Sequence, residues 1–297
     1  MDYFFEKMKF QENKKSFLAV FGILFFLNIF AWIGVYYLSR QQLLAVDFLA
    51  VGQGDSMFIE TPKGQQVLID GGPDATVLKK LAMIMPFYDR TIDLIILTHP
   101  EKDHLFGLLE VLKKYEVKNI LWTGIIRDTA EWQEWTRLIK EEDAQIKIAR
   151  AGERAVLQEN PLIYLDILSP IKLLEGEKIE DSNDTSVVAR LVFGKDSFLF
   201  MGDATIKTEN NLMAKNILLD SSVLKIGHHG SKTSTSENFV KYVSPETALI
   251  EVGKNNYGHP TPEVLAILKK FGIQTLRTDK DGDIQIFSDG KNLKIKN

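Results

Sequence analysis

Short apolar runs of the chain are followed, at four places and within two residues, by a polar residue of a type used in catalysis. The runs are rich in Val, Ile, Leu and Phe, which predicts buried β-strands. In layered α/β folds the loops that follow such strands converge at one rim of the sheets. The pattern therefore predicts an α/β domain with its chemistry at one sheet edge. The four junctions are Asp70 after 67–69, His99 after 95–98, Asp203 after 198–201 and His228 after 223–226.

The chain after residue 42 consists of short β-type runs separated by Gly, Pro, Asn and Asp, alternating later with helical periodicity. Because no linker, low-complexity tract or fixed-period repeat separates its halves, we expect residues 43–297 to form one domain. Two strand-rich stretches predict two packed sheets with helices outside. The predicted strands are 43–49, 57–60, 66–69, 93–98, 118–122, 146–149, 161–168, 186–193, 196–201 and 221–226, and the predicted helices are 74–85, 105–115, 130–142, 206–216 and one beginning near Thr261.

Residues 16–38 form an uncharged, mainly apolar run of about 23 residues, long enough as a helix to span the roughly 30 Å hydrocarbon layer of a bilayer. We therefore predict one N-terminal transmembrane helix, with Trp32, Tyr36 and Tyr37 near its far interface. Four lysines precede the run and only Arg40 follows it closely. This bias favours a short cytoplasmic N-terminus at 1–15 and an extracellular domain at the cell membrane. A cleaved signal peptide is the alternative, disfavoured by the length of the run and the lack of a small-x-small cleavage site.

Composition limits the chemistry available to the domain. The sequence has no cysteine, so neither disulfides nor thiolate metal sites can form, and any metal must be held by nitrogen and oxygen. The formal net charge of −4 excludes a broadly basic surface. A nucleic-acid substrate would therefore have to be held by local lysines and by metal ions.

The five histidines fall in three short segments, 99–104, 227–231 and 257–260. Histidine is the commonest metal ligand, so its clustering beside carboxylates predicts a hydrolytic metal centre. The first segment places His99, Glu101, Asp103 and His104 within six residues after an apolar strand. Two ions about 3.5 to 4 Å apart could share such a group. The alternative is a polar strand–helix turn in which Asp103 caps the following helix.

The second and third segments offer further candidates. Because adjacent residues cannot adopt the same pose, we assign His228 as a ligand and His229 to support or substrate contact. Ser231 and Lys232 could contact a phosphate oxygen, although Lys232 could equally be a solvated lysine. His259 is predicted to protonate a leaving group or bind phosphate, the alternative being a loop histidine bonded to the backbone.

Residues 52–56, Gly-Gln-Gly-Asp-Ser, are glycine-rich like a phosphate-binding loop, but they lack a lysine and lie between two β-type runs. Walker-type nucleotide binding is therefore rejected. We expect a tight turn whose Asp55 and Ser56 face the metal pocket, with pure turn chemistry as the alternative.

These motifs together resemble the metallo-β-lactamase fold family and, within it, the extracellular hydrolase domain of the ComEC DNA-uptake proteins. The resemblance covers residues 43–297 and implies a four-layer αββα sandwich with one or two metal ions at one edge. The family motifs occur in order as Leu68-Ile-Asp-Gly-Gly72, the 99–104 segment, Met201-Gly-Asp-Ala204 and His228-His-Gly-Ser231. The ComEC-like features are Val51-Gly-Gln-Gly-Asp-Ser56, a carboxylate at position 101, Asn183-Asp-Thr-Ser186 and Tyr257-Gly-His-Pro260.

The resemblance also implies roles at single positions. One ion would be held by Asp103, His104 and a histidine of the 228–229 pair, and the other by His99 and Glu101, with Asp203 bridging both. Asp70 would orient the ligand loop. Where the family has a third histidine this chain offers Asn183 or Asp184. The site is therefore oxygen-rich, which favours manganese or magnesium more than an all-histidine site would, with zinc as the alternative.

The predicted function is a membrane-anchored, metal-dependent hydrolase, a ComEC-like phosphodiesterase or nuclease acting on DNA outside the membrane, with Asp103 and His259 as catalytic residues. One alternative keeps the centre but hydrolyses another cell-surface phosphoester. The other is a catalytically weak binding partner of a DNA-uptake complex, suggested by the missing third histidine and by Glu101. The sequence leaves the oligomeric state open.

Overall fold

The structure, a computed structural model, describes residues 2–39 and 43–296, with side chains described for 16–35 and 43–296. Met1, residues 40–42 and Asn297 lie outside the described residues, as do the side chains of 2–15 and 36–39. The charges predicted to orient the N-terminus and the interfacial Tyr36 and Tyr37 therefore lie outside the described part. The chain divides into two units, Met1–Gln42 and Leu43–Asn297.

The first unit is one long helix, α1 (Asp2–Ser39). Its segment Ser16–Val35 has a mean hydropathy of 2.4, and none of it is buried. At 1.5 Å per residue these 20 residues extend about 30 Å, the thickness of a bilayer core. By length and composition this segment is a candidate membrane span, and it begins at the predicted residue.

The second unit alternates strands and helices from Leu44 onwards. Its helices are α2 (Thr76–Ile84), α3 (Lys102–Leu112), α4 (Ala130–Glu141), α5 (Ile206–Ala214), α6 (Glu237–Val243), α7 (Pro262–Lys270) and the single turn α8 (Thr278–Asp281). Its strands are β1 (Leu44–Phe48), β2 (Met57–Glu60), β3 (Gln66–Ile69), β4 (Thr91–Ile92), β5 (Leu94–Ile96), β6 (Glu116–Val117), β7 (Asn119–Trp122), β8 (Gln145–Ile148), β9 (Arg154–Gln158), β10 (Ile163–Ser169), β11 (Val188–Phe193), β12 (Asp196–Phe200), β13 (Val223–Lys225), β14 (Thr247–Ile250), β15 (Gln274–Arg277), β16 (Ile284–Ser288) and β17 (Leu293–Lys296).

Two large sheets face each other in this unit. The first has the strand order β17-β16-β1-β2-β3-β5-β7-β8 and the second β15-β14-β13-β12-β11-β10-β9, while β4 and β6 form a separate pair. Alternate side chains of each sheet meet in one apolar core, where the rings of Phe48 and Phe200 lie 6.3 Å apart. Burial of these side chains between the sheets specifies the pairing register of the strands. A shift by one residue would move each such side chain from the core to the outer face of its sheet.

Helices cover the outer face of each sheet. Apolar residues of α2, α3 and α4 pack on the first sheet, and those of α5, α6 and α7 pack on the second. The layers are therefore helix, sheet, sheet and helix, which confirms the predicted αββα sandwich.

The site lies where parallel strands of the two sheets end. Strands β3, β5, β7 and β8 run parallel in the first sheet, and β12, β13, β14 and β15 run parallel in the second. Since parallel strands end at the same edge, the loops after β3, β5, β12, β13 and β14 come together. One boundary differs usefully from prediction: α3 begins at Lys102 rather than at 105, so Asp103 and His104 lie in its first turn.

Candidate metal centre

The turn after β3 and the start of α3 fit together at backbone distance. A Cβ atom on Gly107 would lie 1.9 Å from Gly71 O, so only glycine allows this approach. Gly71 N donates to His104 O at 2.8 Å, and Gly107 N donates to Gly72 O at 3.0 Å. The packing holds the first turn of α3 directly over Asp70.

Asp70 is buried at the foot of the site and accepts three hydrogen bonds. Its Oδ1 accepts from Thr98 N at 2.8 Å, and its Oδ2 accepts from Thr98 Oγ1 at 2.6 Å and from His104 Nδ1 at 2.8 Å. Burial raises the pKa of Asp70, while the imidazole of His104 opposes that rise. The hydrogen bond to Asp70 thus uses the Nδ1–H of His104 and leaves its Nε2 free.

Three imidazoles have their Nδ1 atoms engaged in the same way. Thr98 Oγ1 donates to Asp70 and can therefore accept from His99 Nδ1, 3.1 Å away. His229 Nδ1 donates to Glu251 O at 2.8 Å. Because each Nδ1–H is used, His99, His104 and His229 all offer Nε2 as a lone-pair donor, the arrangement that supporting groups impose on metal ligands.

Four residues bring ligand atoms within 4.8 Å of one another: Asp103, His104, Asp203 and His229. His104 Nε2 lies 3.4 Å from Asp203 Oδ1. His229 Nε2 lies 3.3 Å from Asp103 Oδ2 and 3.6 Å from Asp203 Oδ2. Ligands about 2.1 Å from a tetrahedral ion are ~3.4 Å apart, so the spacing suits a divalent cation.

The buried ligand atoms also lack other partners. Within the described residues, His99 Nε2, His104 Nε2 and Asp203 Oδ1 are buried without a hydrogen bond. Unpaired buried polar atoms are costly. A cation at the group of four would satisfy His104 Nε2 and Asp203 Oδ1, and a neighbouring cation would satisfy His99 Nε2. The residues present therefore fit a metal ion.

The charges of the site indicate the same need for a cation. Although burial opposes ionisation of Asp203, the imidazoles of His229 and His104 hold its pKa well below the ordinary value. Against the effect of burial, the carboxylates of Asp203 and Asp55 raise the pKa of His229 to about 10. In the metal-free protein, the positive charge of protonated imidazole thus compensates the negative charge of the carboxylates. Metal binding would release the imidazole protons.

The loop after β13 explains why the two adjacent histidines differ. His228 and His229 both have left-handed backbone conformations, with φ of 47° and 51°. The loop is held by His228 N donating to Gly202 O at 3.2 Å and by Ser234 Oγ donating to Gly227 O at 2.7 Å. His229 points into the group of four and is buried, whereas His228 has a side chain 24% exposed. The structure thus brings His229 into the cluster rather than His228, the predicted ligand.

A second position lies beside the first. His99 Nε2 is 4.0 Å from Asp203 Oδ2, and His228 Nε2 is 3.8 Å from the same oxygen. Burial, and next the charge of His104, lower the pKa of His99 to about 3, so its imidazole is neutral. Asp203 therefore faces histidines on both sides, as a bridging carboxylate would.

The carboxylate of Glu101 has a different environment from the one predicted. Its Oε1 accepts from Arg127 Nη2 at 2.7 Å and from Ser182 Oγ at 2.5 Å, and it does not belong to the group of four. Arg127 Nη1 in turn donates to Ile179 O at 2.7 Å and to Glu180 O. Glu101 immediately precedes α3, and its backbone is extended. Its side chain reaches Ser182 in the 170–186 loop.

Several other predicted residues lie around the centre rather than in it. Asp184 Oδ1 accepts from Thr205 Oγ1 at 2.5 Å and from Thr208 Oγ1 at 3.0 Å, so its carboxylate is used at the start of α5. Ser231 is buried with its Oγ 3.0 Å from Thr233 Oγ1, and Lys232 is exposed. Neither Ser231 nor Lys232 lines the cavity above the cluster.

His259 and Asn183 do line that cavity, together with Asp103, Asp203 and His229. The ring of His259 lies 5.5 Å from that of His228. Burial, and next the charge of His228, lower the pKa of His259. The backbone N–H of His259 donates to Asn255 Oδ1 at 3.1 Å. This bond fixes the backbone of His259, while its ring lines the cavity.

A buried charged network beneath the cluster was not foreseen. Lys225 donates to Asp55 and, at 3.1 Å, to Gly202 O. Asp55 Oδ1 is 3.2 Å from His229 Nδ1, and Glu251 Oε1 accepts from Ser56 N at 3.0 Å. Asp55 and Ser56 are thus behind the ligands, facing the centre from below. Lys225 within an apolar strand and Glu251 directly after one are sequence signals that could have identified the network.

Comparison with known proteins gives consistent matches. The family model described as the metallo-beta-lactamase superfamily matches residues 49–253. ComE operon protein 3 of Bacillus subtilis (strain 168) is 33% identical over 259 residues, covering 81% of this chain and 32% of that protein. Competence protein ComA of Neisseria gonorrhoeae is 32% identical over 252 residues, covering 81% of this chain and 32% of that protein. The chain therefore spans about a third of the length of these curated relatives.

Among solved structures, the metallo-beta-lactamase fold protein YhfI from Bacillus subtilis superposes with a TM-score of 0.56 at 12% identity. The match covers 80% of this chain and 96% of that one. At this level of identity the likeness shows the shared fold.

Proposed function

Because the chain belongs to the metallo-β-lactamase superfamily, we propose that it is a metal-dependent phosphodiesterase that cleaves nucleic acid. The observation that carries the proposal is the convergence of Asp103, His104, Asp203 and His229 at the sheet edge. Two of their ligand atoms, His104 Nε2 and Asp203 Oδ1, are buried without a hydrogen bond. Half of these ligands are carboxylates, which suit hard cations, and such cations in turn bind phosphate oxygens.

The geometry supports one assignment of ligands. The first ion would be held by Asp103, His104, Asp203 and His229, and a second by His99, Asp203 and His228. Zn²⁺ and Mn²⁺ both suit such a set of nitrogen and oxygen donors. Glu101 is left out because its Oε1 already accepts from Arg127 and Ser182.

A divalent cation held there would polarise a phosphoryl oxygen and lower the pKa of water. The side chains around it have separate tasks. Asp103 lies at the cavity, where its second oxygen can accept the proton of the attacking water. His259, on the same cavity, can donate a hydrogen bond from its neutral ring to the departing oxygen, which takes its proton from water. Asp70 keeps His104 oriented throughout.

The test is cleavage by the full chain in detergent micelles, using end-labelled single-stranded and duplex oligonucleotides with Mn²⁺ or Zn²⁺. We expect cleavage with one of these ions, none in EDTA, and a loss of at least about 10³-fold in Asp203→Asn, which keeps the size of the side chain. A phosphocholine ester serves as the comparison substrate. If that ester is hydrolysed while no oligonucleotide is cut with either ion, the substrate is a different phosphoester and the nuclease proposal fails.

We further propose that α1 anchors the protein in the cell membrane with the catalytic domain outside, where it acts in DNA uptake. The support is the Ser16–Val35 segment, the lysines that precede it in the sequence and the similarity to competence proteins. Protease added to intact cells should then degrade residues 43–297. Full protection in intact cells, with digestion after lysis, would reverse the orientation.

A further inference from the structure

We propose that a single strand of nucleic acid bound at the metal centre runs along one side of the cleft. One of its unpaired bases stacks on the ring of Tyr257, and Lys254 binds its phosphate backbone. This inference rests on the proposed phosphodiesterase function and names the form of its substrate. It assigns a binding subsite that the metal ligands do not provide.

The cavity above the metal centre continues into a second one. The first has a volume of about 490 Å³ and the second about 570 Å³. Both are lined by Gln53, Asp103 and Tyr257, so they form one cleft with Tyr257 at the junction. A substrate longer than the scissile phosphate and its immediate neighbours would therefore pass Tyr257.

Tyr257 is 75% exposed on a loop whose backbone is fixed. Asn255 Oδ1 accepts from Tyr257 N and His259 N, both at 3.1 Å, and Asn255 Nδ2 donates to Gly253 O and His259 O, both at 2.9 Å. Gly253 N donates to Gln53 Oε1 at 3.2 Å. A Cβ atom on Gly253 would lie 2.4 Å from Gly52 C, so the two loops touch through their backbones. A large exposed ring on so fixed a loop loses little entropy on stacking.

The charges of the cleft give it a direction. Lys102 and Lys254 line the second cavity but not the first, whereas Glu180 and Asp181 line the first but not the second. Lys254 is exposed and has no ion pair with any described residue. Among the described residues, the ion pair of Lys102 is with Glu131 at 3.5 Å, and its ammonium lies 5.6 Å from the centre of the Phe106 ring. A polyanion is attracted to the lysine side and repelled by the carboxylates. The chain of phosphates should therefore run from the metal centre past Tyr257 toward Lys254.

The stacking surface selects the form of the nucleic acid. A base inside a duplex has both faces covered, so only an unpaired base can lie on the Tyr257 ring. One ring and one or two lysines are also too few phosphate contacts for a duplex footprint. The structure thus favours a single strand over a duplex.

The experiment uses the full chain in detergent with the cation that supports cleavage, and a 12-nucleotide single strand. We expect Tyr257→Ala to raise KM about tenfold, the effect of losing one base stack, and Tyr257→Phe to stay within about twofold. Lys254→Ala should raise KM and lower the slope of log KM against log salt by about one. The matched controls are Tyr88→Ala, a tyrosine also 75% exposed but outside both cavities, and Lys291→Ala.

Substrates abasic at one position give the second readout. At the position that meets Tyr257, removing the base should raise the KM of the wild type, and Tyr257→Ala should add nothing further. The subsite is overturned if Tyr257→Ala behaves like Tyr88→Ala, if no abasic position removes its effect, or if a duplex is cut with the same KM as the single strand. If the wild type cuts no oligonucleotide, the proposed function fails. Fluorescence anisotropy then tests the subsite alone, since Tyr257→Ala should still bind the strand more weakly than Tyr88→Ala.

Discussion

His228 and His229 are adjacent in sequence, yet they face different surroundings because both have positive φ. His229 is buried, and its Nδ1 donates a hydrogen bond to Glu251 O. His228 is partly exposed, and its Nδ1 lies 3.3 Å from Thr233 Oγ1. We expect His229→Ala to weaken binding of the first divalent ion on the order of 10²-fold or more, because it removes a ligand held by its supporting hydrogen bond. Competition with a chromogenic chelator at pH 7.5 measures this.

His228→Ala is the matched control, since it removes the same ring one residue earlier. It should change the affinity for the first ion less than about tenfold and act mainly on the second ion. A His228→Ala protein that loses the tighter ion while His229→Ala retains it would restore the assignment made from the sequence. Thermal unfolding followed by circular dichroism shows whether both variants fold.

The sequence identified most polar residues of the site but could not assign all of their partners. His99, Asp103, His104 and Asp203 were singled out because each follows an apolar strand or lies in the dense 99–104 segment, and the structure brings them together. The contacts of Glu101 depend on Arg127 and Ser182, which are distant in sequence and have no spacing to reveal them. Side-chain direction is thus set by tertiary contacts that the local pattern does not contain.

At the level of elements, the start of α3 and the 170–186 loop are connected through Glu101. Its carboxylate binds Arg127 and Ser182, and Arg127 holds the backbone carbonyls of Ile179 and Glu180. We expect Glu101→Gln to speed amide hydrogen exchange in residues 179–186 about tenfold, because hydrogen bonds to a charged group contribute about 1.5–3 kcal/mol. Metal content should stay the same. Exchange followed by mass spectrometry and metal analysis make the two measurements.

Glu131→Gln is the control for this prediction. Glu131, in α4, pairs at 3.5 Å with Lys102, the residue after Glu101, and has no hydrogen bond or ion pair with the described residues of the 170–186 loop. Its replacement should therefore alter neither exchange nor metal content. Loss of one ion per chain in Glu101→Gln would contradict the placement and return Glu101 to the ligands.

Local patterns predicted the elements better than their pairing. Strands Met57–Glu60 and Gln66–Ile69 have the predicted bounds, since alternation and turn residues define them locally. The sequence did not place β16, which lies against β1 with Phe48 opposite Ile284, because that pairing joins segments more than 200 residues apart. Long-range pairing of this kind is decided by packing in the shared core rather than by nearby residues.

At the scale of the whole molecule, the sandwich buries an acid that does not belong to the group of candidate metal ligands. Asp47 lies in β1, where its neighbours Val46 and Phe48 point into the core between the sheets and Asp47 points to the outer face, opposite Gln285. Burial raises the pKa of Asp47 from 3.8 to about 7, and Glu60 and Asp283 add to the rise, while Gln285 and Lys296 oppose it. The folded domain therefore keeps a proton that the unfolded chain releases above pH 4.

This difference makes the stability of the domain depend on pH. The contribution of Asp47 is fully present below about pH 4 and is lost as pH rises toward 7, at about 1.4 kcal/mol per pKa unit. Asp47→Asn cannot ionise, so we expect it to match the wild type at pH 4 and to exceed its free energy of unfolding at pH 8.5 by up to about 4 kcal/mol. Urea unfolding of the full chain in detergent at both pH values measures the difference, with the exposed Asp143→Asn as control. Equal stability of Asp47→Asn and wild type at pH 8.5 would mean that Asp47 is ionised in the folded domain without cost, contrary to its position in the sheet.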